Sequence, residues 1–510
     1  MKQLKATMAR KDVMISMLIG LACFIVIYAY GVNAKMGSFP ESPYWDKIKR
    51  MQGLKASLLR HDLASVSHIS ISPSPSYTPT MSPRSRIYHV MDYGADPSGK
   101  TDSTEALIRA ISDAFEAPND RFLMQGIIDL GGAEVYLEGG SYMISHPLQL
   151  PSSGGGNLMI HGGSIQASDD FPADRYLIEL STSSAGEEKQ ENHTSMEEQL
   201  SSSTYSYEYI TLKDLLLNSN YRGGGISVIN SLRTSIDNCY ITHFTSNGVL
   251  VKGGHETYIR NSFLGQHITA GGDPGERNFS GIAINLMSND NAVTDVVIFS
   301  AATGILVSGQ ANTFSGVHCY NKATGFGGIG IHLQLPGLTQ TRIVNSYLDY
   351  TGIVAEDPVQ LHVSNSFFLG DAFVLLKSIK GIVKGVNIVD NMFSGSSTGV
   401  DIVQLDQSNG PFTTIDQVVI DRNNVNGMTV RATVARGMKQ GNGSSWEIDF
   451  SQVLVFPNLI NHVLYTISTS VSFPNHVLRN TSGNRVVVES DKAVTANFYV
   501  MVDQSPATTG

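Results

Sequence analysis

Gly225-Ile-Ser-Val, Gly248-Val-Leu-Val, Gly281-Ile-Ala-Ile, Gly304-Ile-Leu-Val, Gly330-Ile-His-Leu, Gly352-Ile-Val-Ala, Ala372-Phe-Val-Leu and Gly399-Val-Asp-Ile follow one another at spacings of 23, 33, 23, 26, 22, 20 and 27 residues. Each is a glycine followed by alternating apolar positions, the period of a strand and not of a helix. A second series runs out of phase with it: Asn238-Cys-Tyr, Asn261-Ser-Phe, Asn345-Ser-Tyr, Asn365-Ser-Phe and Asn391-Met-Phe, each preceded by a short β-branched run such as Thr341-Arg-Ile-Val. Two strands per turn of about 23 residues, separated by Asn and Gly, predict a solenoid. The first and third residues after each glycine, Ile282 and Ile284 or Ile305 and Val307, are expected to point inward as stacked columns. The asparagines suit tight turns because they tolerate left-handed backbone and can hydrogen-bond from coil to coil. The expected fold is all-β, a right-handed parallel β-helix. A β-propeller or jelly roll would need hairpin turns at even spacing, and the sequence lacks them.

This architecture accounts for the size of the chain, since 510 residues exceed what one ordinary core of about 250–300 residues can serve. With 49 Gly but no G-X-Y period, and 41 % apolar residues, the collagen-like and disordered classes are excluded. A formal charge of −10 argues against a general nucleic-acid binder. Any polyanionic ligand must find its cations gathered in one place.

The solenoid is expected to span 87–430, between an N-terminal seal and a β-rich C-terminal cap over 431–510. Tyr88-His-Val-Met-Asp-Tyr-Gly reads as strand and turn, and Asp102 with Glu105 three residues later marks a helix start. Leu107, Ala110, Ile111, Ala114 and Phe115 lie on one face of that helix and could close the first coil. Beyond residue 430, alternation continues in Arg485-Val-Val-Val-Glu and Ala496-Asn-Phe-Tyr-Val-Met-Val.

Residues 1–34 carry Lys2, Lys5, Arg10 and Lys11 ahead of an uncharged run from Val13 to Val32, either a cleaved signal peptide or a signal anchor. Both place the rest of the chain in the secretory pathway, bound for the cell exterior or held at a membrane by this segment alone. Residues 35–86 include Ser72-Pro73-Ser74-Pro75-Ser76 and read as a Ser/Pro-rich stalk; 181–206 reads as a polar insertion. Sequons at Asn192, Asn278, Asn442 and Asn480 are candidate glycosylation sites. Outside the leader only Cys239 and Cys319 remain, so disulfides do not build the fold; one bridge could form, but buried thiols are the preferred reading.

The stretch Val90-Met-Asp-Tyr-Gly-Ala-Asp-Pro-Ser-Gly-Lys-Thr-Asp-Ser-Thr-Glu-Ala-Leu resembles the N-terminal signature of the pectin-lyase-like superfamily. Gly254-His-Glu, Phe263-Leu-Gly-Gln-His and Asn289-Asp-Asn-Ala-Val-Thr-Asp-Val-Val-Ile-Phe are similar to the Quartet-type polygalacturonase-like proteins of plant cell walls. The resemblance runs from about residue 86 onward. It implies a polygalacturonase-type glycoside hydrolase cleaving α-1,4-galacturonosyl bonds of pectin, without a cofactor or bound metal and as a monomer. The aspartate motifs of glycoside hydrolase family 28 are absent: Asn247, Ser280, Thr303 and Ile329 precede the corresponding glycines, and no Arg-Ile-Lys occurs. Asp371 echoes one motif but stands four repeat strands from Gly281, roughly 19 Å at 4.8 Å per coil.

Inverting hydrolysis needs a carboxylic acid and a carboxylate about 6.5–9.5 Å apart. The 33-residue spacing before Gly281 signals an extra loop bearing Asp273, Glu276 and Arg277. Asp273 or Glu276 with Asp290 are the candidate acid and base, and His255 would tune them. Lys252, Arg260 and Arg277 could grip a uronate carboxylate, with His318 and Lys322 as secondary binding candidates. Two readings compete with hydrolysis: a Ca²⁺-dependent pectate lyase using the same acidic residues, and a non-catalytic pectin-binding wall protein.

Overall fold

A computed structural model describes residues 86–116, 120–181, 205–267, 279–320, 328–470 and 473–506. The leader, the stalk, Asn192, and the loop residues Asp273, Glu276, Arg277, Asn278 and Lys322 lie outside the described residues.

The chain winds as a parallel β-helix in which each coil pairs with the next. A coil holds three strands, not the two expected. Asn247–His255, Tyr258–Arg260 and Phe263–Gly265 form one coil, and they pair in parallel with Ile282–Asn289, Ala292–Thr294 and Val297–Phe299 of the following one. Three sheets result, called A, B and C in that order. The β-branched runs are sheet B strands and the aromatic ends of the second series are sheet C strands, parted by a corner too tight to look like a strand break in sequence.

That corner is a single left-handed residue, with φ of 52° at Asn238 and Asn261, 53° at Asn345 and 51° at Asn365. Asn accepts this backbone more readily than other side chains, and so does Asp, which fills the position at Asp295 and Asp390. Asn238 and Asn261 also donate Nδ2 to Asp214 (2.7 Å) and Asp237 (2.8 Å) on the preceding coil. Asn391 departs from the expected series. It lies one place further in, buried, where it donates to Asn423 Oδ1 (3.1 Å) and continues a polar ladder through Ser346 and Ser366.

From Gly225 to Gly352 the recurrent glycines answer to space and not to turning, whereas Gly399 has a left-handed φ of 82° and open space around it. A Cβ on Gly304 would sit 2.5 Å from the Gly330 carbonyl oxygen, and one on Gly225 would sit 2.5 Å from that of Gly248. Neither φ is left-handed; the coils simply stack too closely there for a side chain. On the later coils Phe373 and Ile402 take this row, not the expected Ala372 and Gly399. Gly281 breaks the expected frame by two residues. Ala283 takes the glycine row, so Ile284 and Leu286 stack between Val249/Val251 and Ile305/Val307, while Ile282 aligns with Asn247 and Thr303 at the strand's half-buried start.

The helix Thr104–Ala114 seals the first coil with Leu107, Ala110, Ile111 and Ala114 fully buried, and Phe115 packs edge-on against Tyr207. Its start is fixed by the Asp102 carboxylate, which accepts the Thr104 amide at 2.9 Å. At the other end Val434–Asp449, His462–Ser468, His476–Asn480 and Arg485–Asp503 form an antiparallel sheet around Trp446, Phe450 and Phe498. Asn442 and Asn480 are exposed on it.

Cys239 and Cys319 are both buried and free, as preferred from sequence. They stand three coils apart, about 14 Å along the axis, beyond the reach of a disulfide.

Candidate active site

Sheet A ends in His255 on one coil and Asn289 on the next, and their strands are matched unequally: Lys252 to His255 faces Met287 to Asn289, one residue more against one fewer. Gly253 and Gly254 make this bulge, at φ 68° and 78°. A Cβ on Gly254 would fall 1.9 Å from the Ser231 oxygen, so no other residue fits. Bulges of this kind re-aim a side chain at the end of a strand. Here His255 is turned onto the corner between sheets A and B.

The same corner holds a column of left-handed residues on successive coils: Arg233 (φ 50°), Glu256 (59°) and Asp290 (61°). His255 Nδ1 lies 3.2 Å from Asp290 Oδ2, with both side chains about half exposed (41 % and 51 %). Tyr205 sets its ring edge-on to the imidazole at 6.2 Å. Arg233 reaches in both directions, placing Nε 2.9 Å from Glu256 Oε2 and bonding Glu208 Oε1 through its terminal nitrogen. Glu208, followed by Glu256, raises the guanidinium pKa above its ordinary value. Glu208 itself is buried, and its other oxygen has no partner among the described residues.

Three carboxylates, one imidazole and one guanidinium thus share a corner spanning adjacent coils about 4.8 Å apart. An Nδ1–H donated to Asp290 would leave His255 Nε2 available as a proton acceptor, and an ionised Asp290 can polarise water. Arg233 neutralises Glu256 and shields the corner from accumulating charge.

The remaining predicted residues are dispersed. Lys252 is exposed on the outer face of sheet A. Arg260 faces outward from sheet B and is paired to Asp237 at 3.2 Å. His318 lies on the outer face of sheet C, stacked with Tyr320 (5.2 Å) and edge-on to Tyr347 (4.3 Å), its Nε2 buried without a partner among the described residues. Burial lowers its pKa. The loop carrying Asp273, Glu276 and Arg277 is rooted at Gln266 and Ser280, which bond to each other at the C/A corner. The eight-residue strand Ile282–Asn289, about 26 Å long at 3.3 Å per residue, lies between that root and Asp290. Asp371 is a cap, accepting the Ser396 amide at 2.9 Å.

Sequence reasoning missed Arg233, Glu208 and Tyr205. It also missed a second acidic centre on sheet A, where Glu356 is buried beneath His332 (3.2 Å) and Lys377 (3.0 Å). Coil register was the missing signal: each of these contacts joins residues 21 to 50 positions apart that meet only once the strands are aligned. Among the described residues no group of three His, Cys, Asp or Glu side chains is arranged to hold a metal ion.

Residues 87–327 match the family of rhamnogalacturonase A/epimerase, pectate lyase-like proteins. The chain is 61 % identical over 493 residues to polygalacturonase QRT3 of Arabidopsis thaliana, covering 96 % of this chain and 98 % of that protein. Among solved structures it is similar to ORF18 of Geobacillus virus E2 (12 % identity, TM-score 0.49, 83 % of this chain and 80 % of that one). It is also similar to the A-module of the mannuronan C-5 epimerase AlgE4 of Azotobacter vinelandii (13 % identity, TM-score 0.42, 67 % and 96 %).

Proposed function

Because this chain belongs to the Quartet-type polygalacturonase-like family of pectin-lyase-like β-helix proteins, we propose that it is a secreted cell-wall glycoside hydrolase cutting α-1,4-galacturonosyl bonds of pectin. The observation carrying this reading is the identity to the Arabidopsis polygalacturonase along nearly the whole chain. The basic, then apolar, N-terminal segment supports export. The A/B corner supports acid–base chemistry.

In this reading Asp290, held by His255, is the base that takes a proton from water as its oxygen attacks the anomeric carbon. The bond to the leaving sugar oxygen breaks as a carboxylic acid protonates it. Asp273 or Glu276 is that acid, with Glu256, which Arg233 already engages at 2.9 Å, the structural alternative. Lys252 on sheet A is available to a uronate carboxylate; Arg260 is so only if it leaves Asp237.

The test is release of reducing ends from polygalacturonate by the purified chain and by D290N, E256Q, D273N and E276Q. Loss in D290N that added azide restores identifies the base, and loss in one other variant that an activated leaving group bypasses identifies the acid. Undiminished hydrolysis by D290N would remove it from the mechanism. An unsaturated, ultraviolet-absorbing product that needs Ca²⁺ selects the lyase instead. The replaced family aspartates favour one further reading, a pectin-binding protein without catalysis: Asn247 donates to the Tyr176 hydroxyl at 2.7 Å where the hydrolases carry an acid. Retention on pectin with no cleavage at any pH would select it.

A further inference from the structure

The A/B corner does not end at Asp290. Register carries its position to Ala311 on the next coil and to Gln340 on the one after, about 10 Å along the axis. There the outer face of sheet B forms a groove of about 830 Å³. Thr313, Arg342, His362 and Asn387, in register on four consecutive coils, run along it. Gln340, Gln360 and Gln417, at left-handed corner positions, form its rim.

The chemistry of this lining is unusual for a chain of net charge −10, because among the described residues no Asp or Glu lines it. Arg342 is exposed and makes no ion pair among the described residues. Asp416, beside Gln417, is already taken by Lys384 at 3.0 Å. Four primary amides give donor and acceptor atoms together, which suits vicinal hydroxyls, and an unpaired guanidinium suits a carboxylate. A linear polymer rich in both groups, laid along the coils, would meet each in turn.

We propose that the groove holds the continuation of the uronate chain whose reacting bond lies over Asp290, with Arg342 clamping a carboxylate about two coils away. This rests on the polygalacturonate reading above and adds where the rest of the polymer lies. The groove binds and does not cut, since among the described residues no carboxyl lines it to act as acid or base.

The experiment measures binding by calorimetry to the full chain carrying D290N, with and without R342Q, after thermal melting has established that both variants are folded. A long oligogalacturonate should bind about tenfold more weakly to the double variant, the loss expected for one charge-assisted contact. A digalacturonate, too short to span from Asp290 to Arg342, should bind both alike. A carboxyl-reduced long oligomer should be indifferent to R342Q. Equal binding of the long acidic oligomer to both proteins overturns the groove, as does no binding to either. If the unaltered chain cuts nothing yet Arg342-dependent binding persists, hydrolysis falls and the groove stands. If cutting proceeds and Arg342 has no effect, the groove alone falls.

Discussion

Glu256 and Asp290 occupy the same left-handed corner position on successive coils, at φ 59° and 61°. Two carboxylates thus leave the solenoid at one edge, but their neighbours divide them: Arg233 holds Glu256 and His255 faces Asp290. Asp290 is the freer to act on water. Asp290→Asn should therefore lower kcat on polygalacturonate by about 10²–10⁴, and Glu256→Gln by less than about tenfold if Asp273 or Glu276 supplies the acid. Steady-state rates on folded variants decide it; a larger loss in Glu256→Gln transfers the acid role to Glu256.

Arg233 joins Glu208 to Glu256 across three coils. Removing it leaves Glu208, buried and with one oxygen already unpartnered among the described residues, without its counter-charge. Arg233→Met should cost about 1–3 kcal/mol, the half-exposed guanidinium keeping the figure below that of a fully buried pair. Adding Glu208→Gln should recover part of the loss. Denaturant melts of the two singles and the double measure the coupling, and additive losses would mean that the contact does not matter to stability.

Gly254 is the sharpest backbone constraint near the site. Its φ is 78°, and the Ser231 oxygen lies 1.9 Å from where a Cβ would stand, so Gly254→Ala brings both strain and collision. A cost of about 2–4 kcal/mol is expected, together with a loss of activity larger than the stability loss explains, because the bulge aims His255. Retained activity in a folded Gly254→Ala would separate His255 from function.

The glycine-strand repeat made the solenoid legible because close stacking puts a small residue ahead of the same apolar alternation on six successive coils, from Gly225 to Gly352, before Phe373 and Ile402 take the row. The third strand was not legible: Asn261 turns the chain in one residue, so Tyr258–Arg260 and Phe263–Gly265 read as one run. The frame at Gly281 failed because an insertion hides where pairing resumes, and only the contact of Ala283 with the Gly248 row reveals it. His255 and Asp290 were recognisable as neighbours since each follows a glycine strand. Glu208, Arg233 and Arg342 were not, because a side chain's partners on adjacent coils depend on register, which the variable spacings conceal.

The two thiols offer a check on the packing. Burial pushes both Cys239 and Cys319 up to about 12 from an ordinary value of 9.0. At pH about 8 neither forms appreciable thiolate, so a disulfide reagent should titrate no thiol among the described residues of the folded chain and both after denaturation. Reductant should leave the melting temperature unchanged. Rapid labelling of the native protein would contradict the close packing of the coils.

His318 gives the chain an acid-side weakness remote from the A/B corner. Burial lowers its pKa below the ordinary 6.5, so at mildly acidic pH the unfolded chain takes up a proton that the folded chain resists. Its contribution to stability is therefore fully present above pH 6.5 and is lost as pH falls toward the folded pKa. The cause is local: the ring is packed between Tyr320 and Tyr347, and among the described residues Nε2 has no partner that could share a charge. His318→Phe keeps an aromatic ring in the stack and cannot be protonated. Its melting temperature should fall less than that of the unaltered chain between pH about 7.5 and pH about 5, with the two proteins differing least at the upper end. Parallel melting curves across that interval would mean that His318 accepts its proton freely in the folded state, and the stack on sheet C would then have to be more open than its ring contacts indicate.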